Sequence, residues 1–99
     1  MLFRSLGVII VLDCLTLWLS NWMLRDESQV ESEIDALCSA LRRIPFHVVA
    51  ISNEVGWSIV PENLLARRFR DRSGLMNQKI AAIADSVILM VCGIPTRVK

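Results

Sequence analysis

Two carboxylates stand just beyond hydrophobic runs. Asp13 follows the β-branched stretch VIIVL at residues 8–12, and Glu54 closes the polar turn Ser52-Asn53-Glu54 that follows HVVAI at residues 47–51. An acid at the carboxyl end of a buried strand is how a phosphate-binding fold reaches a magnesium ion or a nucleotide. An acid in the same place can instead accept a hydrogen bond from an unpaired amide of the following helix. The glycine-rich GxxxxGK[ST] loop that cradles phosphate is absent from these residues, so Asp13 stays open between nucleotide contact and helix cap.

A second group comprises Asn53, Glu54 and Gly56, with Glu62 and Asn63 further on. Short polar side chains between a strand end and a helix start can bind a ligand or simply satisfy turn amides. Arg67, Arg68, Arg70 and Arg72 could meet phosphates, but four arginines within six positions point in several directions around a helix and suit a solvated or interface face as well. The single histidine, His47, opens an apolar strand with no cysteine or acid cluster beside it in sequence, which excludes a multi-histidine metal site. Cys14, Cys38 and Cys92 are widely spaced without a CxxC pair, so they read as reduced, buried thiols of a cytoplasmic protein rather than a disulfide framework or zinc knuckle. With one histidine there is no identifiable base to activate a serine or cysteine nucleophile.

The elements that would position these groups alternate. Residues 8–12 form a strand with apolar residues on both faces, the pattern of a parallel sheet interior. Leu15, Leu17, Trp18, Leu19, Trp22 and Met23 crowd too densely for a narrow stripe and predict a largely buried helix. Ser28 and Glu31 make an S-x-x-E capping box, and Val30, Ile34, Leu37 and Leu41 follow at helical spacing until Pro45. HVVAI predicts a second buried strand. Leu65, Phe69, Met76, Ile80 and Ile83 trace one face of a helix over residues 61–84. A third strand over residues 86–92 meets a turn at Gly93 and Pro95, and the basic tail can return as a hairpin strand. The order β-α-α-β-α-β gives an α/β fold with a mostly parallel sheet, right-handed crossovers and flanking helices.

The chain has 99 residues, enough for one small domain, and its 54% hydrophobic content exceeds the usual fraction of about 45–50%. A net charge of +1 supplies no overall field for nucleic acid. Residues 26–35 nevertheless carry five acids and no base, while residues 67–72 carry four arginines and one acid. Two oppositely charged helix faces would satisfy this segregation without a partner. The apolar run at residues 7–24 has the outline of a signal or membrane segment. It is short and polar for a span, and Asp13 at its centre would cost about 2.5–3.5 kcal/mol in a bilayer, so no membrane span is expected.

The strings DCLTLWLSN, ISNEVGWSIVPENLLARRFRD and GLMNQKIAAIADSVILMVCGIP closely resemble the bifunctional adenosylcobinamide kinase/adenosylcobinamide-phosphate guanylyltransferase family of cobalamin biosynthesis. The pattern NEVG-x-x-x-VPEN-x-x-A-R-x-F-R-D, from Asn53 to Asp71, is its most specific part. The resemblance implies a P-loop NTPase-like fold, usually a homotrimer. It implies phosphorylation of adenosylcobinamide by ATP or GTP, then transfer of GMP from GTP through a guanylyl-histidine, with Mg2+ accompanying the nucleotides. Asp13 falls on an acidic position that contacts the guanine nucleotide in the family. The family's glycine-rich loop and nucleophilic histidine lie upstream of the matching region, and residues 1–7 contain neither, so no catalytic residue is assigned here and His47 is not the nucleophile. Residues 1–99 then read as a single partial domain, the carboxyl-terminal half of a kinase/guanylyltransferase domain. A parallel sheet without its first strands exposes an apolar edge. The chain is therefore expected to aggregate, or to assemble with copies of itself or a separate amino-terminal piece.

Overall fold

The computed structural model describes residues 5–54 and 63–99. Strand β1 (Ser5–Asp13) leads to helix α1 (Leu15–Asp26), a 3-10 turn at Glu27–Gln29, helix α2 (Val30–Arg43) and strand β2 (Phe46–Ile51). Helix α3 (Leu64–Ile83) follows, then strands β3 (Ile88–Val91) and β4 (Ile94–Arg97). The α/β class is as expected.

Strands β1 and β2 are parallel, with Ile9 opposite His47, Val11 opposite Val49 and Asp13 opposite Ile51. The register shifts between Ser5 and Ile9, where Gly7 takes a φ of 87°, a conformation only glycine adopts without strain. The hairpin expected of the carboxyl-terminal tail forms, with β3 antiparallel to β4, but the pair is a separate two-stranded sheet instead of an extension of the parallel one. The cause is local: Val91 and Ile94 close a two-residue turn in which Cys92 (φ 51°) and Gly93 (φ 74°) both have positive φ, the geometry whose twist suits a tight hairpin.

The core lies on one side of the parallel pair. Leu15, Leu19 and Met23 recur every fourth residue of α1 and meet Val30 and Ile34 of α2 and Met76 of α3. Leu12, Trp18, Trp22, Phe69 and Ile80 pack around them. Only that stripe of α1 is buried; Leu17 and Leu24 are exposed, so the expectation of a largely buried helix is corrected. Because side chains alternate along a strand, Leu12 turns toward the helices while Ile9, Val11, Val49 and Ile51 share the opposite, exposed face. The expectation of strands buried on both faces therefore holds for one face, since among the described residues nothing packs on the other. Leu65 is also exposed, one turn before the part of α3 that reaches the core.

Two local details differ from the sequence reading. The S-x-x-E box does not form: Asp26 Oδ1 accepts from the Ser28 amide at 3.1 Å and the Ser28 hydroxyl at 2.6 Å, capping the 3-10 turn, and α2 begins later. The cysteines are free, but Cys14 and Cys38 are only half-buried and Cys92 is exposed at the hairpin turn. No helix among the described residues is long and apolar enough to cross a membrane.

Candidate functional site

The opposed charge runs find each other. Arg68 Nε lies 3.1 Å from Glu27 Oε1, Arg72 Nη1 2.8 Å from Glu31 Oε1, and Lys79 Nζ 2.7 Å from Asp35 Oδ1. The pairs advance in the same sense along α3 and along the 3-10 turn and α2, forming a ladder between the two chain segments. Its members are partly exposed, so the ladder sets helix orientation more than it stabilises the fold. Arg68, a candidate ligand residue, is thereby committed to Glu27. The Asp35 carboxylate accepting from Lys79 raises the ammonium's pKa from its ordinary value. Beside it, burial and then the Asp35 charge raise the Cys38 thiol, against the opposing pull of Lys79 and Arg42. Shallow clefts of about 270 and 350 Å³ flank this ladder and include neither Asp13 nor Asn53.

The other polar cluster lies where β1 and β2 end. Asp13 is the last residue of β1, level with Ile51, so the turn after β2 emerges at the same edge. Cys14, not Asp13, holds the N-cap position of α1, and no side chain caps that helix. The helix-cap reading of Asp13 is thus excluded. Its carboxylate is exposed and has no hydrogen bond among the described residues.

The turn after β2 is tied to two helices. The Asn53 amide donates to Thr16 Oγ1 in the first turn of α1 at 3.1 Å. The Asn77 side chain on α3 donates from Nδ2 to the Asn53 carbonyl at 3.1 Å and accepts from the Ser52 hydroxyl at 2.6 Å. Glu54 is exposed beside them. Asn63 satisfies a backbone amide: its Oδ1 accepts from the Ala66 amide at 3.1 Å and caps α3. Arg67 is exposed on the first turn of α3, whereas Gly56 and Glu62 lie outside the described residues. His47 sits at the start of β2, four residues before Ile51 and so about 13 Å from this edge by strand rise.

Thr16 and Asn77 were not singled out from the sequence. The signal was present: Asn77 interrupts the apolar face of α3 between Met76 and Ile80, and Thr16 interrupts the apolar run of α1. A polar side chain on a packed stripe needs a partner. Among the described residues no three histidine, cysteine, aspartate or glutamate side chains converge as a metal cage.

Parallel strands ending in an unengaged acid, with helices on one face, define an α/β protein, and the family it matches is of P-loop NTPase-like type. The chain belongs to the cobinamide kinase / cobinamide phosphate guanyltransferase family, whose sequence profile matches residues 4–98. It is 51% identical over 73 residues to the bifunctional adenosylcobalamin biosynthesis protein CobU of Salmonella typhimurium, covering 74% of this chain and 40% of that protein. It is 38% identical over 94 residues to the corresponding protein CobP of Pseudomonas aeruginosa, covering 94% of this chain and 54% of that one. CobU of Escherichia coli is 48% identical over 73 residues, 74% of this chain and 40% of the relative. The chain thus spans about half the length of the curated relatives it matches.

Proposed function

We propose that this chain is the carboxyl-terminal portion of an adenosylcobinamide kinase/adenosylcobinamide-phosphate guanylyltransferase. Such an enzyme phosphorylates adenosylcobinamide with ATP or GTP and transfers GMP from GTP to the product. The supporting observation is Asp13, exposed at the carboxyl edge of two parallel strands and relieved of helix capping. In open α/β sheets ligands bind at that edge. Asp13 accepts hydrogen bonds from the guanine nucleotide, and the Asn53-Glu54 turn forms the adjoining wall. Gly56 and Glu62 belong to the same proposed site, joined by Arg67 from the first turn of α3; Asn63 and Arg68 serve it indirectly, through the α3 cap and the ladder. Mg2+ arrives with the nucleotide's phosphates, which supply most of its ligands, and needs few carboxylates from the protein.

The chain carries no GxxxxGK[ST] loop and its one histidine is remote from the edge. Phosphate positioning supplies most of the rate in phosphoryl transfer. These residues by themselves therefore perform neither transfer, and activity requires that loop and a nucleophilic histidine from outside them. The setting is cytoplasmic. Labelled GTP should leave no guanylyl adduct on the purified chain, while GMP binding should be present and weakened about tenfold by Asp13→Asn, the loss of a charge-assisted hydrogen bond. An adduct on the chain alone, or binding indifferent to Asp13→Asn, overturns this reading.

A second reading rests on the bare face formed by Ile9, Val11, Val49 and Ile51. On it, the chain is a non-catalytic relic or assembly module, trimeric like the family, that binds no nucleotide at all.

A further inference from the structure

We infer that Thr16 and Asn77 are positioning residues that set the Asn53-Glu54 turn against Asp13, an inference that rests on reading this edge as the guanine-nucleotide site. The polar groups on either side of the Asn53 α-carbon are both held by side chains from different helices. Its amide donates to Thr16 Oγ1 on α1, and its carbonyl accepts from Asn77 Nδ2 on α3. With both flanking peptide groups fixed, the direction in which the Asn53 side chain leaves the chain, and the point from which Glu54 starts, are fixed relative to the sheet edge. A turn with no such ties would exchange these bonds for water and sample several conformations.

The chemistry at each position is specific. Asn77 must donate and accept at once, because its Oδ1 takes the Ser52 hydroxyl while its Nδ2 serves a carbonyl. Rotating the amide by half a turn would set oxygen against the Asn53 carbonyl oxygen, so the network admits one orientation. Aspartate is similar in size and keeps the acceptor for Ser52, but has no donor for the carbonyl. Thr16 needs only its hydroxyl oxygen: serine retains it and valine, of the same shape, does not. The Thr16 tie also couples the turn to the residue that follows Asp13 in the fold's first crossover, Cys14, since Thr16 lies two residues along from it in the first turn of α1. A displacement of α1 would move Asp13 and the turn together. That is the property a two-sided nucleotide crevice needs.

The test uses the full 99-residue chain with GMP as the probe, measuring amide hydrogen exchange at Asn53 and GMP affinity in the wild type and in Asn77→Asp, Thr16→Val and Thr16→Ser. The expected result is that Asn77→Asp and Thr16→Val each weaken GMP binding about tenfold, Thr16→Val also abolishes Asn53 amide protection, and Thr16→Ser restores both. The thermal midpoint is read alongside. If Thr16→Val fails to fold, the contrast between Asn77→Asp and wild type carries the test. GMP affinity unchanged in both variants, with the wild type binding, overturns the inference while leaving the site reading intact. Failure of the wild type to bind GMP removes the site reading itself, and Thr16 and Asn77 are then structural ties only.

Discussion

The two faces of the β1/β2 pair are built from the same kind of residue and meet opposite surroundings. Leu12 looks into a core of Leu15, Leu19, Met23, Val30, Ile34 and Met76, whereas Val11 and Val49, one position away in the alternation, are 57% and 51% exposed. β-branched side chains on both faces are a sequence's commitment to burial on both faces, as in parallel sheets generally. The difference shows that the chain's own helices satisfy one half of that commitment. The radius of gyration, 14.5 Å against about 13 Å for a compact domain of this length, agrees with an open arrangement.

The largest effect is expected from damage to the packed side. Leu19 is fully buried between the helices. Leu19→Ala should destabilise the chain by about 2–5 kcal/mol, read as a shift of the urea midpoint, because the cavity adds to the lost transfer energy. On a small domain that is enough to unfold much of the population. On the bare side, Val11→Thr together with Val49→Thr should change stability by no more than about 0.5 kcal/mol per site. Their effect should appear instead in size-exclusion chromatography, as less self-association. A loss on the scale of Leu19→Ala from the bare-face pair would show that this face is buried in the protein in solution.

Between these extremes lies the cap of α3. Asn63→Ala should cost about 1 kcal/mol in the same urea titration, since the Ala66 amide loses its acceptor. Asn63→Ser should recover most of it. An unchanged midpoint would mean that the first turn of α3 is not held by its cap.

How much of this was legible follows the range of the forces involved. Strand β1, α1 and the position of Asp13 depend on short periodic patterns, and each was readable to within a few residues. So was the pairing of the acidic and basic runs, because Glu27, Glu31 and Asp35 recur at four-residue spacing, one helix face. The failures came where a partner decides the outcome. The hairpin after SVILMVC was legible in its turn residues, but the alternation of strands and helices placed that strand in the parallel sheet, whereas it pairs with β4 alone. Ser28 reads as a cap, but Asp26, two residues earlier, captures its amide and hydroxyl first. Asn77 could be seen as an interruption of an apolar stripe. That it serves Ser52 and Asn53 needed the packing of α3 against the strand ends, a long-range fact. The residues of the NEVG motif beyond Glu54 lie outside the described part, so the proposed site is defined here by its supports.

The smallest expected effects belong to the ladder, which is exposed where the core is buried. Arg72→Gln should cost about 0.2–1 kcal/mol at low salt and less as salt screens the pair with Glu31. Lys79 adds a pH dependence whose sign is set by its bond to Asp35. Its pKa in the folded chain is raised from the ordinary 10.5, so folding holds its proton more tightly than the unfolded chain does. The resulting stability is fully present below about pH 10 and is lost as pH rises through the folded value. Cys38 acts in the same direction: its thiol is also raised, so ionising it at alkaline pH disfavours the folded state. The thermal midpoint should therefore decline on the alkaline side, and Lys79→Gln should remove the lysine's share of that decline while slowing alkylation of Cys38, which loses a cation that lowers its pKa. Faster alkylation in Lys79→Gln would mean that the lysine chiefly shields the thiol from solvent, and that this end of the ladder acts by coverage instead of charge.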